Sequence, residues 1–199
     1  AYKAVYFEGS SGRGDYFSEE GKSLRNQFLK APLRYSRISS GYSLRRLHPV
    51  LKKFRPHQGI DYAAPRGTPV VAVGDGKVTW AGRKGWNGVF VKLKHTGTYT
   101  SSYGHLQRLA KGIKRGVRVQ QGQVIGYVGS TGMATGPHLD FRIRKNGEYI
   151  NPLKLKTPVA RSVAAKDFKA FAIRRDELVS RLKSAGGVMS AKRENGATN

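Results

Sequence analysis

The stretch Gly136–Ile143 reads GPHLDFRI. Leu139, Phe141 and Ile143 alternate with His138, Asp140 and Arg142. Successive side chains leave a β-strand on opposite faces, so this alternation predicts a half-buried strand. One face is apolar. The other carries a histidine and a carboxylate two residues apart, which is the spacing of a strand-borne metal or acid–base site. A solvated polar face is the plain alternative. The preceding STGMATGP, residues 130–137, is a Gly-rich approach of the kind that shapes a site rather than a core.

Similar short segments lie on either side. TPVVAV (68–73), VFVKLK (89–94) and QVIGYVG (123–129) are rich in Val, Ile and aromatics. Turn chemistry separates them: GDGK at 74, KGWNG at 84, HTGT at 95, KRG at 114, QQGQ at 120 and KNGE at 145. In GVFVKLKH, Val89, Val91 and Leu93 share one face and Lys92 and Lys94 the other. Asn146-Gly147 predicts a type I′ hairpin turn. The pattern predicts a mainly β protein with an antiparallel sheet core, sandwich- or barrel-like.

Four regions are expected. Residues 1–34, with the aromatic AYKAVYF and the turn-forming EGSSGRG, read as an N-terminal β-ribbon. A lone ribbon is marginal in water, so it should lean on the main domain or be the junction to an upstream one. Residues 35–158 form the main domain. Residues 159–187 read as an amphipathic helix packed on it, with Phe168, Phe171, Leu178 and Leu182 at helical spacing and Gly186-Gly187 as a stop. Residues 188–199 are expected to be a disordered tail.

Composition narrows the chemistry. The 199 residues carry 37 Lys and Arg against 12 Asp and Glu, a net charge of +25. Such a surface attracts polyanions, among them nucleic acid, anionic lipid and anionic wall polymer. No cysteine is present, so a metal here must be held by His, Asp or Glu. No apolar run approaches the roughly 18 residues of a membrane span, and AYKAVYFEGSSGRG has no signal-peptide core. The chain is expected to be intracellular or to begin after a removed segment. Nucleic acid is not an expected partner, because no recognition-helix pattern or clear stacking motif accompanies the charge.

The five histidines are His48, His57, His95, His105 and His138. Between Arg55 and Pro152 there are 15 basic residues but four acids, Asp61, Asp75, Asp140 and Glu148. Two of those acids lie within four residues of a histidine. In HQGIDY, Pro56 and Gly59 argue against a helix. In an extended segment His57 and Asp61 converge on one side while Ile60 points to the core. In SSYGHLQRL, His105 closes an aromatic strand beside Tyr103. A surface ion pair and a core histidine are the plain readings of these two stretches.

Taken together, RLHPVLKKFRPHQGIDYAAPRGTPVVAVGDGKVTWAG (46–82), YTSSYGHLQRL (99–109), VQQGQVIGYVGSTGMATGPHLDFRI (119–143) and NGEYINPL (146–153) resemble the lysostaphin-type zinc metallopeptidases. These are peptidoglycan endopeptidases of bacterial cell walls. YFSEEGKSLRNQFLKAPLRYSRISSGYSLRR (16–46) looks like the junction in multidomain, membrane-associated murein endopeptidases of Gram-negative type, where an upstream domain leads into the catalytic one.

The resemblance implies a grooved β-sheet core and hydrolysis of peptide cross-links in peptidoglycan. It implies one zinc ion per chain, with His57 and Asp61 as ligands and His105 and His138 as catalytic histidines. It also implies export to the periplasm or cell envelope, with a membrane anchor in the full-length protein. The partner is the peptidoglycan peptide stem, an upstream domain or regulator can be attached, and a monomer is expected. By analogy the bond cut is D-Ala to diaminopimelate. His48 falls near the groove rim, and His48 and Tyr103 are candidate substrate contacts.

One position departs from the family pattern. The third ligand, usually histidine, is Asp140. Zinc accepts carboxylate oxygen at about 2.0–2.2 Å, close to its distance for imidazole nitrogen. One His and two Asp leave a formally neutral centre and favour harder metals such as Mn²⁺. Asp140 is either a working ligand or the mark of a degenerate, metal-poor homologue that binds wall and regulates other hydrolases.

Overall fold

The computed structural model describes residues 4–10, 12, 14–34, 37–47, 53–95, 97–155 and 162–194, without the side chains of 185–194. The chain divides into two compact units, 28–157 and 1–27 with 158–199.

The larger unit is built on one branched ten-stranded antiparallel sheet. Its main path runs β11 (Arg118–Val119), β8 (Gly76–Arg83), β9 (Val89–Lys94), β10 (Tyr99–Leu109), β13 (His138–Lys145), β6 (Ile60–Ala63), β3 (Arg37–Ser40). Off this path, β12 (Val124–Val128) pairs with β10, β7 (Pro69–Val71) with β12, and β14 (Glu148–Ile150) with β13. A separate hairpin of β4 (Ser43–Leu47) and β5 (Phe54–His57) completes the unit.

Strand β10 explains the branching. Its first half pairs with β9 and β13, and Leu106 to Leu109 pair with β12. The register shifts between Tyr103 and Leu106, and His105 takes a left-handed φ of 59°. One residue is thereby inserted into the strand as a bulge, which bends it and re-aims side chains. The β13–β14 turn has φ 53° at Asn146 and 88° at Gly147, the two positive values that a type I′ turn needs.

The apolar alternation becomes the core. Ile60, Val91, Leu93, Tyr103, Leu139, Phe141 and Ile143 are all buried in one cluster. A short polar chain crosses it. The Val73 N–H donates to the Tyr103 hydroxyl at 3.0 Å, and the Tyr103 and Ser101 hydroxyls are bonded at 2.9 Å. Ser101 Oγ lies 2.7 Å from His95 Nε2, and His95 Nδ1–H donates to Asp75 O at 2.8 Å. Burial holds the His95 pKa below its ordinary value, so the ring is neutral.

The smaller unit pairs β1 (Val5–Glu8) with β2 (Gly14–Phe17) and carries α1 (Phe168–Glu194). Phe171 is fully buried against Val5 and Phe17, and its ring meets Phe7 and Phe17 edge-on. The helix therefore covers the ribbon that could not stand alone. Phe168 and Leu182, at 42% and 58% exposure, are not buried with it. A four-residue strand is about 13 Å long and a 27-residue helix about 40 Å, so the ribbon cannot cover all of α1. The helix runs through Gly186-Gly187 as far as Glu194. Glycine costs a helix about 1 kcal/mol against alanine but does not forbid it.

Candidate metal and catalytic site

Strands β6 and β13 set the site. Their register puts Asp61 directly opposite Asp140 and Ala63 opposite His138. On its other side Asp140 faces Gly104 of β10. Leu139, Phe141 and Ile143 point into the core, so His138, Asp140 and Arg142 emerge together on the far face.

His57 arrives at the end of β5. Its Nδ1–H donates to Gly41 O at 2.8 Å, since a carbonyl can only accept. Its Nε2 then points at Asp61 Oδ1, 3.0 Å away. The segment between them needs Gly59. A Cβ there would come within 2.7 Å of Arg142 Cγ and 2.9 Å of both Asp140 Oδ1 and Phe141 O. One ligand atom from each of His57, Asp61 and Asp140 lies within 4.8 Å of the others, the one such group among the described residues.

The carboxylates are each held by an arginine. Arg46 of β4 reaches Asp61 Oδ2 at 3.4 Å and also bonds Ser40. Arg142 forks onto Asp140, with Nε 2.8 Å from Oδ1 and Nη2 2.5 Å from Oδ2. Burial raises the Asp61 pKa, but the His57 hydrogen bond, the charges of His57 and His138, and Arg46 outweigh it and hold the group below the usual carboxylate value.

His105 and His138 stand beside this group with ring centroids 4.7 Å apart. The His105 Nδ1–H donates to Thr131 O and the His138 Nδ1–H to Gly136 O, both at 2.8 Å. All three histidines thus spend Nδ1 on a backbone carbonyl and keep Nε2 for chemistry. Burial, aided by the neighbouring His138, holds the His105 pKa below its ordinary value despite the opposing pull of Thr131 and Asp140.

Thr131 ties the site together. Its Oγ1 donates to Leu106 O at 2.6 Å and accepts from Val89 N–H at 2.9 Å. Gly88 and Gly132 interlock there so tightly that a Cβ on either would lie 2.3–2.4 Å from Thr131 or from the 86–88 backbone. The two loops frame a groove of about 710 Å³ with Trp86 and Met133 on its wall. The sequence had marked residues 130–137 as a rigid approach, but Thr131, Gly59, Arg46 and Arg142 are roles it did not single out.

Tyr103 is a correction. It is fully buried, at 0% exposure, with its hydroxyl committed to Val73 and Ser101, so it does not contact substrate. The bulge at His105 breaks the strand alternation, which sends Tyr103 to the core and His105 to the groove. His48 lies outside the described residues.

The donor set fits a zinc ion. His57 Nε2 and Asp61 Oδ1 are both acceptors once Nδ1–H is spent, yet they approach to 3.0 Å. Such an approach is satisfied by a proton or by a cation between them. His nitrogen with two carboxylate oxygens is a known class of zinc ligand.

Residues 55–152 match the pattern of Peptidase family M23. The catalytic domain of the antimicrobial peptidase lysostaphin from Staphylococcus simulans superposes with a TM-score of 0.52 at 31% identity, covering 59% of this chain and 90% of that one. The chain belongs to peptidase family M23. A zinc-containing peptidase from Vibrio cholerae, known from its crystal structure, aligns with a TM-score of 0.63 at 34% identity, over 78% of this M23 chain and 47% of that one. The peptidoglycan DD-endopeptidase ShyC of Vibrio cholerae is 42% identical over 158 residues, 79% of this chain and 36% of ShyC. The M23 chain thus spans well under half the length of that relative.

Proposed function

We propose that this M23 chain is the catalytic part of an exported zinc endopeptidase that hydrolyses peptide cross-links of bacterial peptidoglycan. The observation that carries the reading is the convergence of His57, Asp61 and Asp140 on one spot of a groove, with His105 and His138 alongside. His57 Nε2 and one oxygen each of Asp61 and Asp140 would hold one zinc ion per chain. When bound, zinc supplies an activated water and polarises the scissile carbonyl.

The chain's own residues do the rest. His105, kept neutral by burial, takes a proton at Nε2 from the attacking water. His138, when its ring carries a second proton at Nε2, can donate it from the adjacent position to stabilise the oxyanion or to protonate the leaving amine. Gly41, Thr131 and Gly136 fix the tautomers through their carbonyls. The basic groove, with Arg46 and Arg55 on its wall, suits the anionic peptide stems of peptidoglycan. We place the protein in the periplasm or cell envelope, as a monomer attached to an upstream domain.

The competing reading is a metal-poor wall-binding regulator. One observation favours it: both oxygens of Asp140 already accept from Arg142. Oδ2 accepts from both Nε and Nη2, but Oδ1 accepts from Nε alone and keeps a second lone pair, so the fork and metal ligation are compatible. The test is a digest of purified sacculi. Cross-linked muropeptide dimers should give monomers, a chelator should stop the reaction, and zinc should restore it. Zinc-treated protein that binds sacculi and leaves every cross-link intact would establish the regulator instead.

A further inference from the structure

Asp61 and Asp140 are cross-strand partners, and their side chains are only 13% and 6% exposed. Like charges directly opposite each other on a sheet repel, and burial removes the water that would screen them. The fold therefore has to hold two mutually repelling carboxylates against one another whenever no cation lies between them.

Arg142 answers this from the same strand. Residues 140 and 142 leave β13 on the same face, so the guanidinium folds onto the carboxylate without distorting the backbone. The fork grips both Asp140 oxygens, whereas Arg46 reaches one oxygen of Asp61 at a longer 3.4 Å. A forked arginine–carboxylate bond fixes the plane of the carboxylate as well as its charge. It leaves a lone pair on Asp140 Oδ1 that can join His57 and Asp61 in holding a cation.

We propose that Arg142 is the internal counter-charge of the metal centre: it stands in for the cation beside Asp140 and Asp61 when none is bound. This rests on the reading of those three residues as a metal site. Arg142 and the metal then compete to neutralise the same pair of carboxylates. Whatever Arg142 contributes to the metal-free fold is subtracted from metal affinity, because linkage is reciprocal.

The test measures thermal unfolding with and without zinc, and zinc affinity by competition with a chromophoric chelator. The proteins are wild type, Arg142→Gln, Arg142→Lys and the double variant Asp140→Asn/Arg142→Gln. Arg142→Gln should melt lower than wild type without metal, and zinc should close most of that gap. Its zinc affinity should rise on the order of tenfold, as removal of one nearby positive charge implies. Arg142→Lys keeps the charge but loses the fork, so it should fall between wild type and Arg142→Gln in both measurements. The double variant should melt higher than Arg142→Gln without zinc, because the carboxylate left unmatched by that substitution is gone too. If Arg142→Gln does not fold without zinc, that recovery and the lysine variant still decide. Unchanged or weaker zinc binding by Arg142→Gln, or an equal loss of melting temperature with and without zinc, overturns the counter-charge role. Wild type that binds no zinc would instead sink the metal reading beneath it.

Discussion

Gly59→Ala tests the assembly of the site with one methyl group. The new Cβ would lie 2.9 Å from Phe141 O and Asp140 Oδ1 and 2.7 Å from Arg142 Cγ, where ordinary contact begins at 3.4 Å. Relief therefore requires shifts of about 0.5–0.7 Å, the differences 3.4 − 2.9 and 3.4 − 2.7. Phe141 O is backbone and is fixed by β13, so residue 59 must itself move off it, and the side chains of Asp140 and Arg142 must give way as well. Overpacking of this size costs about 1–3 kcal/mol of stability. Displacing a ligand by about 0.5 Å exhausts the tolerance of a preorganised site, so zinc affinity should fall about tenfold or more.

Gly126→Ala is the matched control, because its Cβ would press on Leu106 Cδ1 at 2.9 Å and on Arg108 O at 3.1 Å instead of on a candidate ligand. Urea unfolding and chelator competition on both variants decide the matter. Both should lose stability, and Gly59→Ala alone should lose zinc. If Gly59→Ala keeps wild-type zinc affinity while losing as much stability as Gly126→Ala, the close approach of residue 59 does not shape a metal site.

Three further outcomes follow from the same geometry. Asp140→Ala should lose both zinc and hydrolysis, while Asp140→His should retain zinc under the same chelator challenge; equal metal content in both variants and wild type would show that residue 140 is not a ligand. His105→Ala should lower hydrolysis roughly 10²–10⁴-fold, the range of general acid–base contributions, with zinc content unchanged; loss of the metal would show that His105 is a ligand. Burial depresses the folded-state pKa of His95, so below the unfolded value of about 6.5 the unfolded chain binds the extra proton and stability falls as pH drops. Urea unfolding of chelated protein from pH 7.5 to 5 should show this loss, and His95→Gln should flatten it; an unchanged slope would mean that His95 is not the group responsible.

Much of the site was legible because the relevant signal is local. The alternation in HLDFRI put His138 and Asp140 on one face, and the burial of Leu139, Phe141 and Ile143 follows directly from it. HQGID paired His57 with Asp61 across one turn of extended chain, and the structure brings Nε2 and Oδ1 to 3.0 Å. Asn146-Gly147 specified its turn through the positive φ values both residues tolerate. The misreading of Tyr103 has an equally local cause. Two residues before His105 on a regular strand, it should share that histidine's face, and the strand is not regular there.

The sequence by itself determined several of the strands, the turns between them, the absence of thiolate ligands and the residue types available for a metal. These depend on side-chain period, backbone φ preference and composition, each a property of a few neighbouring residues or of a simple count. Only the tertiary structure decided that Asp61 faces Asp140, that Gly59 must lack a side chain to let them meet, that Arg142 closes on Asp140, and that a bulge turns His105 toward the groove. It also decided that the helix covers the ribbon through Phe171. Apart from Arg142 and Asp140, two residues apart on one strand, these are fixed by register and packing between segments tens to more than a hundred residues apart. No local pattern carries that information, because pairing energy is settled by which surfaces fit once the whole core has closed.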